Sequence, residues 1–194
     1  MFGSIFLLAQ FFQTVQGYSP FGAGLRILPW TAMPIIVAPI AGALSDRIGG
    51  GRIMAVGLSL QAAGLAWIAT VSTPTVPYGE LVVPFILSGV GMALYFAPVA
   101  NVVLSAVRPQ EEGQASGSLN AIRELGGVFG VAVLAAIFAH YGGYRTPESF
   151  SNGMNAAVYV GAALVAVGAV ASFLIPRRRP VTETEPVEAR LEAA

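Results

Sequence analysis

Long stretches of this sequence contain no charged residue, among them residues 27–45, 53–79, 81–107 and 149–176. Each is long enough for a helix of about 20 residues, the length that crosses a hydrocarbon layer about 30 Å thick. Inside lipid, only helices and closed barrels satisfy all their backbone hydrogen bonds. Barrel strands alternate polar and apolar residues and these stretches do not, so the pattern predicts membrane-spanning helices.

The composition agrees with a protein that faces lipid. Of its 194 residues, 55% are hydrophobic and only 10% are charged, whereas soluble domains carry about 25% charged residues. The formal net charge is zero, which gives no indication of a nucleic-acid partner. There is no cysteine, no phosphate-binding loop of the Walker type, and no orienting partner for the single histidine, His140. We therefore expect no enzyme chemistry, no cofactor and no metal site.

Hydropathy and turn residues predict six membrane segments. They cover residues 1–16, 25–44, 53–71, 82–107, 115–139 and 155–175. Residues 1–176 are expected to form one transmembrane domain. Its first helix is expected to be truncated, because residues 1–16 supply only about 24 Å of helix. Residues 177–194 are charged and rich in Glu and Pro, and are expected to form a disordered cytoplasmic tail.

The arginines are distributed unevenly between the two sides that six spans define. One side holds Arg47, Arg52, Arg108, Arg177, Arg178 and Arg179, and the other holds Arg26 and Arg145. Arginine and lysine are enriched in the cytoplasmic loops of membrane proteins. The bias predicts a multi-pass protein of the cell (plasma or inner) membrane with both termini in the cytoplasm.

A polar segment after the second predicted helix carries the first family resemblance. Gly42-Ala43-Leu44-Ser45-Asp46-Arg47-Ile48-Gly49 resembles the loop signature of the major facilitator superfamily, although glycines follow it where basic residues are usual. The resemblance implies a conformational latch loop, formed by Gly42, Asp46, Arg47, Gly49 and Arg52. Asp46 would cap a helix or pair with an arginine. An ordinary polar turn beside cytoplasmic arginines is the alternative.

Two further stretches resemble the fourteen-helix drug:proton antiporters of that superfamily. Gly17-Tyr18-Ser19-Pro20 and the following Ala23-Gly24-Leu25 are similar to the first outer loop of their C-terminal half. Gly113-Gln114-Ala115-Ser116-Gly117 and Arg123-Glu124-Leu125-Gly126-Gly127 are similar to their helix before last. The resemblance covers residues 1–176. It implies the C-terminal half of a transporter, with six helices arranged as two inverted three-helix repeats.

Four residues of the fifth predicted segment are candidates for lining a substrate path. Asn120, Arg123, Glu124 and Gly127 share one helix face by their spacing of three and four residues. Charges within a membrane usually face a cavity or each other. Glu124 could carry a proton on such a face. Alternatively, Arg123 could extend to the lipid headgroups while Glu124 pairs locally.

Three uncharged polar residues within segments are weaker candidates for the same cavity. Gln10, Gln13 and Asn101 could each contact a substrate. Side chains of this kind also form hydrogen bonds between membrane helices, each worth about 1 kcal/mol. Both interpretations therefore stay open for all three residues.

The resemblance also implies a function and its partners. It implies secondary active transport in a lipid bilayer, as proton-coupled export of drug-like or other small organic solutes. The chain would act with an N-terminal six-helix half or with a second copy of itself. The alternative is a truncated or split-gene membrane protein that does not transport and associates with a partner half.

Overall fold

The computed structural model describes residues 1–174, apart from the side chain of Asp46, and this part of the chain contains helices and no β-strand. The helices are α1 (Phe2–Gln10), which continues into a π-helical turn (Phe11–Val15), α2 (Pro20–Thr31), α3 (Met33–Ile48), α4 (Gly50–Val71), α5 (Tyr78–Leu104), α6 (Glu112–Tyr141) and α7 (Pro147–Phe173). A 3-10 turn, Pro109–Glu111, leads into α6. The predicted tail, residues 177–194, lies outside the described residues.

Five helical stretches of the described chain are long and apolar enough to cross a membrane. They are Pro20–Ser45, Gly50–Val71, Tyr78–Leu104, Pro109–Tyr141 and Pro147–Phe173. They correspond to the second to sixth predicted segments, so the all-helical membrane class is confirmed. Phe2–Val15 is a shorter apolar helix, and the count of six spans therefore stays a prediction.

The second predicted segment, residues 25–44, is interrupted rather than continuous. It consists of α2 and α3, which meet at Ala32. Pro34 has no amide hydrogen, and its ring conflicts with the carbonyl four residues earlier. The next amide, Ile35 N, accordingly donates to Ala32 O at 3.0 Å, a three-residue spacing. Proline chemistry thus interrupts the helix at Ala32, and both parts stay within one membrane-length stretch, Pro20–Ser45.

Local capping residues fix where several helices begin. The Ser19 side chain accepts a hydrogen bond from Gly22 N, and the Thr146 side chain accepts one from Ser149 N, each at 3.1 Å. Each cap is followed by a proline at the first helical position, where a missing amide hydrogen costs nothing. Between α3 and α4 the chain turns at Gly49 with φ +98°, a conformation that favours glycine.

Helix α4 lies at the centre of the packing, along α5 on one side and α7 on the other. Helix α3 packs on α5, α6 packs on α7, and α1 packs on α6. The largest fully buried side chains are aromatic: Phe11, Phe12, Trp30, Phe85 and Phe150. Neighbouring rings meet at edge-to-face or tilted angles, with centroids 5.7 to 6.4 Å apart, which is favourable packing for aromatic pairs.

The contact between α4 and α5 depends on glycine. A Cβ atom on Gly91 would lie 2.5 Å from the carbonyl oxygen of Gly57 and 2.6 Å from the amide nitrogen of Gln61. Small residues let membrane helices approach until their backbones touch. Gly91 therefore brings α5 directly against the α4 backbone.

The predicted latch loop is mostly helical, and this corrects the sequence analysis. Gly42, Asp46 and Arg47 lie in α3, Gly49 alone joins α3 to α4, and Arg52 lies in the first turn of α4. The helix continues because residues 42–48 include no helix-breaking proline. The turn is therefore confined to the glycine that the signature places at its end.

Candidate functional site

The α6 polar face, defined here as Asn120, Arg123 and Glu124, carries the one ion pair among the described side chains. Arg123 Nη2 donates to Asn120 Oδ1 at 2.6 Å, and Arg123 Nε lies 3.9 Å from Glu124 Oε1. The side chains of Arg123 and Glu124 are 43% and 75% exposed. The guanidinium also stands 5.9 Å from the ring centroid of Phe96 on α5. This is local pairing, on a face that the bundle leaves open.

A groove between α1 and α6, the Phe2 groove, adjoins this face. It has a volume of about 490 Å³ and is lined by Phe2, Glu124, Gly127, Val128, Val131 and Ala132. Its wall is almost entirely apolar, and Glu124 is its only charged residue. The structure therefore brings together four predicted site residues. Asn120, Arg123 and Glu124 form the α6 polar face, and Glu124 and Gly127 line this groove.

A second space, the Gln61 cavity, lies among α1, α4, α5, α6 and α7. It has a volume of about 330 Å³ and is lined by Met1, Leu58, Gln61, Tyr95, Phe96, Gly126, Gly130, Leu134, Gly161, Leu164, Val165 and Gly168. None of these side chains is charged at neutral pH. Phe96 belongs to this lining and also contacts Arg123, so the cavity and the α6 polar face are neighbours.

Gln61 is a candidate residue that the sequence analysis missed. It is only 2% exposed, and its Nε2 atom is buried without a hydrogen-bond partner among the described residues. A signal was present, because Gln61 is the only Asn or Gln in the charge-free residues 53–79. It also shares a helix face with Gly57 and Gly64, which lie four residues before and three residues after it.

The other predicted cavity residues do not join this group. Gln10 accepts a hydrogen bond of 2.5 Å from the hydroxyl of Tyr144, in the connection between α6 and α7. Gln13 is exposed, and its amide donates to the carbonyl of Ala9 on its own helix at 3.1 Å. Asn101 is exposed on α5. None of the three lines the Phe2 groove or the Gln61 cavity.

The latch residues lie at one end of the bundle, which we call the Gly49 end. The α3–α4 junction packs there against Pro98 and Val102, near the end of α5. Arg47 and Arg52 are exposed, and neither forms an ion pair with a described side chain. The geometry thus keeps both arginines available at this end of the bundle.

The opposite end of the bundle, which we call the Tyr18 end, is held together by polar contacts that involve the loops between helices. The Arg26 guanidinium lies 3.4 Å from the ring centroid of Tyr18 and 5.6 Å from that of Tyr78. The Tyr78 hydroxyl donates to Arg26 O at 3.1 Å. Two side-chain amides, those of Gln16 and Asn155, donate to carbonyls of residues 72–76 at 3.0 to 3.1 Å. These contacts tie α1, α2, α5 and α7 together at this end.

Metal binding has no candidate within residues 1–174. No group of three or more His, Cys, Asp or Glu residues in this part of the chain could hold a metal ion. Polar groups beside the two spaces include the charge pair of the α6 polar face and the amide of Gln61.

Comparisons with known proteins identify relatives that are named for drug resistance or drug export. The chain is 35% identical over 139 residues to the multidrug resistance protein Stp of Mycobacterium tuberculosis, covering 72% of this chain and 26% of Stp. It is 31% identical over 149 residues to the tetracenomycin C resistance and export protein of Streptomyces glaucescens, covering 77% and 28%. It is 29% identical over 139 residues to the multidrug export protein EmrB of Escherichia coli, covering 72% and 27%.

The chain spans about a quarter of the length of these relatives. A sequence model of the Major Facilitator Superfamily matches residues 1–193, nearly the whole chain. The helical architecture, the membrane-length apolar helices and the family match agree. This multi-pass membrane protein belongs to the Major Facilitator Superfamily.

Proposed function

We propose that this chain is one six-helix half of a proton-coupled exporter of small organic solutes in the cell membrane. The names of its relatives support the substrate class, because they describe multidrug resistance, multidrug export and tetracenomycin C export. The chain matches about a quarter of each of these proteins, so an exporter of their size needs further helices. These helices belong to a second six-helix half, and the solute passes between the two halves.

The observation that carries this proposal is the exposure of the α6 polar face. Helix α6 lies within a stretch of membrane-spanning length and composition, and only 11% of its most apolar part is buried. Arg123 and Glu124 nevertheless face outward on it. Charged groups in contact with lipid are costly, and in membrane proteins they face water-filled cavities or partner groups. A second half that covers α6 would enclose these charges in a solute path.

The packing pattern supports two three-helix repeats. Assign α1, α2–α3 and α4 to the first repeat, and α5, α6 and α7 to the second. The contact of α1 with α6 then corresponds to the contact of α5 with α3, and the third members, α4 and α7, pack on each other. A two-fold relation between the repeats would produce this correspondence, although the extensive α4–α5 contact has only a small counterpart between α7 and α1; such relations are common in transporters of this type.

The orientation in the membrane is part of the proposal. The Gly49 end carries Arg47, Arg52 and Arg108, and the Tyr18 end carries Arg26 and Arg145. The bias of arginine toward cytoplasmic segments supports placing the Gly49 end and both termini in the cytoplasm. Asp46 and its neighbours then act as a latch at the cytoplasmic face, and Arg47 and Arg52 are exposed there for a contact with the second half.

The test is export by a chimera in which this chain replaces the matching stretch of Stp. Cells that lack other drug exporters would express full-length Stp, the chimera or this chain alone, and would be loaded with a fluorescent dye, chosen because its efflux requires full-length Stp in these cells. We expect dye efflux with Stp and the chimera, and none with this chain alone. An inserted chimera that binds the dye but does not export it would favour a membrane protein without transport activity.

A further inference from the structure

Asn120 and Arg123 form the shortest polar contact on the α6 polar face. Arg123 Nη2 donates to Asn120 Oδ1 at 2.6 Å, whereas Arg123 Nε and Glu124 Oε1 are 3.9 Å apart. Hydrogen bonds between an arginine and a carboxylate measure about 2.7 to 2.9 Å, and a separation beyond about 3.6 Å is not a hydrogen bond. The guanidinium is therefore bonded to the amide of Asn120 and only loosely paired with the carboxylate of Glu124.

Helix geometry explains why Arg123 has this partner. Residues three apart are neighbours on a helix surface, whereas adjacent residues do not face each other. Asn120 lies three residues before Arg123, and Glu124 follows Arg123 directly. The ring of Phe96 on α5 lies 5.9 Å from the guanidinium and borders the Gln61 cavity, while Glu124 borders the Phe2 groove. The amide and the ring thus favour a guanidinium position apart from the carboxylate.

We propose that Asn120 is a positioning residue, which holds Arg123 and thereby leaves the carboxylate of Glu124 free to take up and release a proton. A guanidinium carries only donors, so it competes for every acceptor within reach. Without the Asn120 oxygen, it would turn toward Glu124, its other polar contact among the described side chains. The Glu124 side chain is 75% exposed, so a proton reaches it without any rearrangement.

This role deepens the proposed proton-coupled export and rests on it for its purpose. A cation in close contact favours the ionised form of a carboxylate, and a carboxylate held in this form does not carry protons. Asn120 therefore acts on proton uptake through Arg123, without touching the proton or the solute. The effect is measured on the chain alone, so failure of the positioning role and failure of transport are separate results.

The test measures how readily Glu124 reacts with dicyclohexylcarbodiimide, an apolar reagent that adds to protonated carboxyl groups. The 194-residue chain is labelled in lipid nanodiscs at one fixed pH, and mass spectrometry compares Glu124 with Glu148, an exposed carboxylate at the start of α7. Asn120→Leu should decrease the relative labelling of Glu124 about 2- to 5-fold, the range expected for a new exposed ion pair. Asn120→Gln keeps an amide oxygen and should label like the wild type. The matched Asn101→Leu, at an exposed asparagine on α5, should also label like the wild type.

A double variant tests whether the effect passes through Arg123. Arg123→Gln removes the guanidinium, so adding Asn120→Leu to it should not decrease the labelling of Glu124 further. Asn120→Ala only shortens the side chain, and it should decrease labelling in the same direction as Asn120→Leu when Arg123 is present. The proposal is overturned by wild-type Glu124 that does not label, by unchanged labelling in both Asn120 variants, or by an equal decrease with and without Arg123. The last result would assign Asn120 to local packing.

Discussion

Replacing Gly91 by alanine should force α4 and α5 apart. The new Cβ atom would lie 2.5 Å from Gly57 O, 2.6 Å from Gln61 N and 2.9 Å from Gln61 Cβ. These atoms belong to the α4 backbone or to the first carbon of a side chain, so no rotamer change can move them away. Helix α4 is also packed along α7, which restricts its shift. The contact must therefore open or distort.

The size of the effect follows from these contacts. Overpacking of a tightly packed interior costs about 1 to 3 kcal/mol, and three simultaneous contacts place Gly91→Ala in the upper part of this range. The higher helix propensity of alanine offsets at most about 1 kcal/mol. We expect a net loss of about 1 to 2 kcal/mol in the free energy of unfolding. For a chain of this size, this loss corresponds to a decrease in Tm of about 2 to 8 °C.

The assay is thermal unfolding of the purified protein in detergent, followed by intrinsic fluorescence. Gly126→Ala is the matched control, because it is also a glycine within a helix and its added Cβ meets no atom within 4 Å. The control should keep or raise the Tm, since only helix propensity changes. A Gly91→Ala protein as stable as the wild type, or the same decrease in both variants, would refute the reasoning.

Three further predictions concern orientation, latch and coupling. A single cysteine at Ser19 should react with an impermeant reagent added to intact cells and one at Gln110 should not; labelling at Gln110 alone would invert the orientation. Asp46→Asn in the Stp chimera should change the maximal export rate more than the apparent affinity, and a large affinity loss at unchanged rate would contradict a latch. Glu124→Gln should abolish acceleration of export by a pH gradient, and a variant that still responds fully excludes Glu124 as the proton carrier.

The sequence predicts the fold class well because a backbone in lipid has few ways to satisfy its hydrogen bonds. Charge-free stretches must become helices in lipid, and their ends follow from local chemistry such as the Ser19 and Thr146 caps. Pro34 indicates that the second segment can be kinked, but the sequence does not place the interruption at Ala32. Proline can kink, end or merely bend a membrane helix, and only the structure, with its hydrogen bond from Ile35 N to Ala32 O, locates the change at Ala32.

The candidate site was less predictable because the packing of neighbouring helices decides which side chains of a helix are buried and which contacts they make. Spacing on α6 grouped Asn120, Arg123 and Glu124, and the structure shows them in mutual contact. Spacing could not show that the Gln10 side chain accepts a hydrogen bond from the Tyr144 hydroxyl, in the connection between α6 and α7. It could not show which glutamine is buried, because the isolation of Gln61 depends on how closely α5 covers the carbonyl beside it.

The central claim is that this bundle needs a second half to move solute, and transport in proteoliposomes tests it most directly. The purified 194-residue chain and the Stp chimera would be reconstituted at equal density with an imposed pH gradient. Uptake of the dye selected in the efflux test would be measured, with a gradient-free sample as control. The account predicts gradient-driven dye movement by the chimera and none above empty liposomes by the chain alone. Gradient-driven movement by the chain alone would contradict it.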